Sequence, residues 1–177
     1  MKMNLLLLFL AAMVVRATSQ PPNPFPLPYD YYSVVFQWLK SVCNGRNPCI
    51  KSTFPAFTLH GLWPQRYHFP PLDDCRLYPQ HQLTYFATAP RVATSIDLYS
   101  ILSAAGILCG NPTTVGAVRT AIHASTGFWP TVQCNRSITG TLQLFQMYLC
   151  FNKITNVPMD CPVVQKGCIN PIDYPRP

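Results

Sequence analysis

Apolar, aromatic and β-branched residues fall in short blocks along this chain, and the blocks have different periods. Three of them, over 31–39 (YYSVVFQWL), 57–63 (FTLHGLW) and 142–151 (LQLFQMYLCF), have the length and residue type of buried or half-buried strands. Two stretches read as helices instead, a long one over about 82–105 and a shorter one over about 114–124. Beyond the third strand the pattern breaks into short pieces rich in Cys, Pro and Asn, read as a disulfide-tied C-terminal loop region. The fold class predicted is α+β.

Composition narrows this to one globular domain: 177 residues, 49% hydrophobic and 11% charged, are enough for a real core. With 19 Pro and 8 Gly, turns are frequent and a long helical bundle is excluded. There is no internal repeat, and the one biased tract, Pro21-Pro22-Asn23-Pro24-Phe25-Pro26-Leu27-Pro28, reads as an extended arm. Before it, Lys2 precedes an apolar run over 5–15 that is too short to cross a bilayer and suits a signal-peptide core. Residues 1–19 are therefore read as a signal peptide cleaved near Ala17 or Ser19, and 20–177 as the mature domain. Arg16 blurs the cleavage position, and an uncleaved anchor is the alternative. The expected product is secreted and extracellular, off the membrane after cleavage, and monomeric.

Eight cysteines in a secreted chain of this size imply disulfides. No paired C-x-x-C and no His-bearing cluster points to a metal, and neither metal nor cofactor is expected. Asn135-Arg136-Ser137 is the one N-x-[ST] acceptor with a permitted centre, so Asn135 is the candidate glycosylation site. The net charge of +7, which becomes +5 once Lys2 and Arg16 leave with the signal, suits a polyanionic partner. The basic residues form no run, however, and ordinary solvation of a basic secreted protein explains them as well.

The chemistry concentrates in Phe57-Thr58-Leu59-His60-Gly61-Leu62-Trp63-Pro64-Gln65. A single histidine in an apolar strand is more often a satisfied core residue than a reactive one. These nine residues together, though, resemble the first active-site motif of the ribonuclease T2 family, which includes plant S-RNases and S-like RNases. The flanks extend the resemblance: Tyr31 through Trp38 is similar to the family's first strand, Asp97 through Gly106-Ile107 to its long helix and exit, and Cys134-Asn135 with Leu144 through Cys150 to its C-terminal strands.

The resemblance implies a ribonuclease T2-like fold, an antiparallel sheet with packed helices, and endonucleolytic RNA cleavage through a 2′,3′-cyclic phosphate. It implies the pairs Cys43–Cys49, Cys134–Cys168 and Cys150–Cys161. Cys75 and Cys109 are left over, as a bridge to each other or as two free thiols. His60 is the candidate catalytic residue, as acid and phosphate contact. Trp63 and Tyr67 are the candidates for stacking the bases of single-stranded RNA. Trp38, Tyr85, Phe86 and Trp129 lie in apolar stretches and are assigned to the core.

The resemblance also exposes a gap. The family's second motif, of the type H-E-W-x-K-H-G-T-C, carries the other catalytic His with a Glu and a Lys, and this chain has no such stretch. All six acidic residues are Asp, at positions 30, 73, 74, 97, 160 and 173, so no glutamate exists to serve. The missing piece falls between about Arg76 and Tyr78, through a deletion, a skipped coding segment or a misread gene. Without the base, cleavage should drop by about 10²–10⁴-fold. His81 beside the junction is the candidate substitute, ahead of His68 and His123. Loss of the second-motif helix should also bare apolar surface next to the first-motif strand. Three functions compete: an RNA-binding family member with impaired cleavage, an active endoribonuclease, and a non-catalytic recognition protein that meets pollen partners in self-incompatibility.

Overall fold

Strand β1 (Tyr31–Trp38) lies inside the sheet, flanked by β2 (Phe57–Gln65) on one side and the central strand β5 (Leu142–Asn152) on the other, both antiparallel. Its aromatic and β-branched residues suit a pleat covered on both sides, which is why the block reads as nearly continuous hydrophobicity without clean alternation. The structure is a computed structural model and describes residues 29–45, 49, 55–67, 95–163 and 165–177. The sheet continues through β4 (Thr131–Arg136) to β7 (Gln165–Lys166), giving the order β2-β1-β5-β4-β7. Short β6 (Pro158–Met159) and β8 (Ile172–Asp173) also pair with β5, and β3 (Pro112–Thr113) pairs with β8.

One face of this sheet carries the main core. Val34, Phe36 and Trp38 of β1, Val132 of β4, and Leu144, Met147, Leu149 and Phe151 of β5 pack there with helices α2 (Leu98–Ala104) and α3 (Val115–Thr126). The apolar face of α3, Val115, Val118 and Ile122, recurs at helical spacing. Thr114 caps its first turn by accepting from Ala117 N at 3.1 Å, and Gly127 ends it at φ 81°, a backbone that glycine adopts without strain. Trp38 is fully buried as expected, its Nε1 donating to Pro175 O at 2.9 Å and its ring against Tyr174, Phe57 and Tyr99.

The three strand expectations hold to within two residues at each end. Leu39 is the exception in kind, since it opens helix α1 (Leu39–Cys43) and does not extend β1. The long helix expected over 82–105 needs correction. Asp97 has φ −83° and ψ 88°, outside the helical region, and its side chain accepts from Ser100 N at 3.1 Å and Ser100 Oγ at 2.6 Å. An aspartate spent as a cap starts a helix, so none runs continuously across it. Residues 82–94, with Tyr85 and Phe86, lie outside the described residues. So do the 1–19 leader, His68, Cys75 and His81.

Disulfides Cys43–Cys49, Cys134–Cys168 and Cys150–Cys161 are all formed. Cys109 is a free thiol that packs as a small apolar residue against the main core, and Cys75, the other cysteine left over, lies outside the described residues. Trp129 does not fill the core either. It is half-buried, stacked on His123 with ring centroids 4.0 Å apart, while the Arg119 guanidinium sits 5.0 Å from its ring. Short Gly127-Phe128 spacing after α3 returns Trp129 to the helix surface, where a cation and an imidazole cover it.

Candidate functional site

The opposite face of the sheet holds the polar side chains. Along β2 the pairing to β1 slips: Val35 faces Gly61 and Phe36 faces Leu59, which leaves His60 as the extra residue of a β-bulge. A bulge aims its side chain away from the regular alternation, a device common beside binding sites. His60 is exposed, and its Nδ1 lies 2.8 Å from Nε2 of Gln146, a residue of β5 that is only 5% exposed. Gln146 in turn accepts through Oε1 from the Tyr148 hydroxyl at 3.0 Å, and the same hydroxyl lies against Oε1 of Gln133 on β4. Lys166 on β7 reaches back over Tyr148, with Nζ 4.3 Å from the ring centroid. Four strands thus contribute to one stripe, His60, Gln146, Tyr148, Gln133 and Lys166.

Burial tunes the two titratable members at the far end. It raises the Tyr148 phenol and lowers the Lys166 ammonium from their ordinary values, because each charged form loses hydration there. The upward shift keeps Tyr148 a neutral donor.

Trp63 stands next to His60 with ring centroids 5.8 Å apart and is 42% exposed. Gly61 allows this: a Cβ there would lie 3.2 Å from the indole Nε1, so the ring folds over bare backbone. The pair joins a hydrogen-bonding imidazole to an open π-face, which suits a phosphate and its neighbouring base. Leu59, 46% exposed on the same strand, pairs with Phe36 and so lies on the other face of the sheet, away from this pair.

Tyr67 is placed elsewhere. It lies beyond the end of β2, with its ring tilted against Tyr31 at 5.3 Å and its N–H donating to Asp30 Oδ2 at 2.9 Å. It belongs to the far end of the sheet and not to the His60 cluster. Carboxylates are likewise engaged in structure, Asp97 on α2 and Asp160 on the Trp129 N–H at 2.8 Å. Among the described residues no group of three His, Cys, Asp or Glu side chains comes together.

Asn135 sits in β4, and its Nδ2 donates to Ser41 O at 3.0 Å within a buried polar network with Gln143 and Asn44. The acceptor nitrogen of the candidate glycosylation site therefore points into the protein, so occupancy would disrupt this bond.

Gln146 and Tyr148 are the members that sequence reading passed over as ordinary strand residues. Their signal is in the chain: polar residues two apart sit in the middle of a mostly apolar 11-residue strand. Gln133 and Lys166 offered no comparable signal, since only the sheet order brings them alongside.

Comparison with known proteins matches residues 72–161 to the ribonuclease T2 family, a stretch that begins after β2. Intracellular ribonuclease LX of Solanum lycopersicum is 26% identical over 217 aligned residues, covering 92% of this chain and 88% of the relative. Ribonuclease 1 of Arabidopsis thaliana is 37% identical over 98 residues, 54% of this chain and 42% of its own. Among solved structures, the self-incompatibility associated SF11-RNase of Nicotiana alata superposes with a TM-score of 0.68 at 21% identity, over 84% of this chain and 100% of that one. RNase NT in complex with 5′-AMP superposes with a TM-score of 0.63, also at 21% identity, over 84% and 99%. At such identities these structures establish a ribonuclease T2-like fold.

Proposed function

The chain belongs to the ribonuclease T2 family, whose reaction is RNA cleavage, and from that premise we propose that it is a secreted RNA-binding member in which cleavage is impaired. The observation that carries this reading is the exposed pair His60 and Trp63 on the polar sheet face, in a chain that has no glutamate. His60 supplies a contact to the phosphate and Trp63 a stacking surface for a base. The basic net charge, +7 for the full chain and +5 without Lys2 and Arg16, favours the approach of a polyanion. Nucleotide binding by the structural relative RNase NT, solved with 5′-AMP, supports the ligand class.

Impairment follows from the chemistry. Cleavage needs one group to take the 2′-hydroxyl proton and another to protonate the leaving 5′-oxygen, and one histidine cannot do both in the same transition state. The tomato relative aligns over 217 residues although this chain has only 177, so that relative carries stretches with no counterpart here. This supports an internal loss of the size that the second motif requires.

Secretion rests on the apolar run over 5–15; the tomato relatives carry both names, an intracellular ribonuclease LX and an extracellular ribonuclease LE. Similarity to S-ribonucleases of potato and petunia keeps a recognition role in view, with pollen proteins as its partners.

The test is binding and cleavage of a fluorescent single-stranded RNA by the oxidised mature chain, beside His60→Ala. We expect His60-dependent binding with little or no cleavage. Robust His60-dependent cleavage would show that another group, His81 foremost, supplies the base.

A further inference from the structure

The hydrogen-bond chain behind His60 has a direction. Gln146 Nε2 is an amide nitrogen and can only donate, so at 2.8 Å from His60 Nδ1 it needs a bare lone pair there. The amide cannot turn over freely to offer its oxygen while the Tyr148 hydroxyl, 3.0 Å away, gives its one hydrogen to Oε1 inside a buried setting. A neutral imidazole carries a single N–H, so if Nδ1 is bare the hydrogen is on Nε2.

We propose that Gln146, held by Tyr148, is a positioning residue that fixes neutral His60 as the Nε2–H tautomer. The ring then presents a hydrogen-bond donor, matched to a phosphate oxygen, and not the lone pair that would take a proton from a 2′-hydroxyl. The phosphate assignment rests on the RNA-binding reading above, whereas the tautomer is a property of the free protein. Tyr148 has one hydrogen for two amide oxygens, of Gln133 and Gln146, and so Gln133 competes for the anchor. If Tyr148 served Gln133 and the Gln146 amide were reversed, His60 would carry Nδ1–H and expose a base. Sequence spacing gives no access to this choice, since His60 and Gln146 are 86 residues apart.

The experiment is a long-range ¹⁵N–¹H correlation spectrum of the oxidised full chain at a pH where the ring is neutral, with His60 assigned by its disappearance in His60→Ala. We expect the Nε2–H pattern in the native chain. Gln146→Glu puts an acceptor on both arms and should move the tautomer ratio toward Nδ1–H by roughly tenfold or more. Tyr148→Phe removes one hydroxyl from a half-buried ring and should raise the Nδ1–H share by roughly two- to tenfold, the range of one ordinary hydrogen bond. An Nδ1–H pattern in the native chain would overturn the proposal. So would an unchanged ratio in Tyr148→Phe, the milder variant, when the rest of its spectrum is native. Adding a single-stranded RNA oligomer then tests the ligand separately: a tautomer as expected with no RNA response would sink the RNA reading and leave the role of Gln146 standing.

Discussion

The two faces of the sheet solve opposite problems with alternate residues of the same strands. On one face Val34, Phe36, Trp38, Leu144, Met147 and Leu149 are buried under α2 and α3, and shape and volume are all that matter. On the other, Gln146, Tyr148 and Gln133 are linked by directional hydrogen bonds that end on exposed His60. Packing on the first face makes the strands rigid, and the second face uses that rigidity to hold an imidazole at one angle. Stability and chemistry should therefore separate cleanly when each face is altered.

The largest effect is expected on the covered face. Trp38→Ala should cost about 3–5 kcal/mol, a large share of the stability of a typical domain, because it deletes the ring around which Phe57, Tyr99 and Tyr174 pack. Denaturant titration of the refolded protein would show it. Opening Cys134–Cys168, which closes a sequence separation of 34, should cost about 3–4 kcal/mol by the chain-entropy estimate. It should also loosen β7 and with it Lys166, so that the RNA affinity of the variant falls along with its stability. A loss of stability with full affinity would separate Lys166 from the site.

Asp97→Ala removes the α2 cap and should cost about 1 kcal/mol. Bonds from the Ser100 side chain and then its backbone N–H hold the Asp97 carboxyl below its ordinary value of 3.8. A depressed carboxylate gives its full contribution above that ordinary value and loses it as pH falls through the folded one. The difference between wild type and variant should accordingly be constant near neutrality and shrink in acid. A gap that persists at the lowest pH would assign the effect to helix propensity.

Smaller still is Tyr174→Phe, expected to be neutral or stabilising by up to about 1 kcal/mol. The hydroxyl is buried without a hydrogen-bond partner among the described residues, so its removal takes away a desolvation cost and no bond. At the end of the series, His60→Ala on the open face should change stability by less than about 0.5 kcal/mol while abolishing the RNA contact. A large stability loss there would mean that the two faces are not independent.

Much of this was legible in the chain itself. The strand blocks, the helix over 114–124 and the motif around His60 depend on local periodicity and residue chemistry. The disulfide pairs were legible only through resemblance to a family, since spacing alone leaves many connectivities. Trp129 shows the limit: an apolar neighbourhood in sequence became a half-buried ring between His123 and Arg119, because helix termination at Gly127 decides which way the next residues turn. The helix over 82–105 failed on Asp97 for the same reason, since one side-chain cap outweighs an apolar period that continues through it.

The identity of the parts can be read along the chain: a single histidine in a Gly-Leu-Trp setting, no glutamate, and alternating residues in β5 that put Gln146 and Tyr148 on one face. That these parts meet is a matter of the fold, because the bulge at His60 and the order β2-β1-β5-β4-β7 set which side chains from distant segments come within hydrogen-bond reach. The two differ in range: propensity and periodicity act over a few residues, while the tautomer of an imidazole depends on contacts of about 3 Å made across the whole fold.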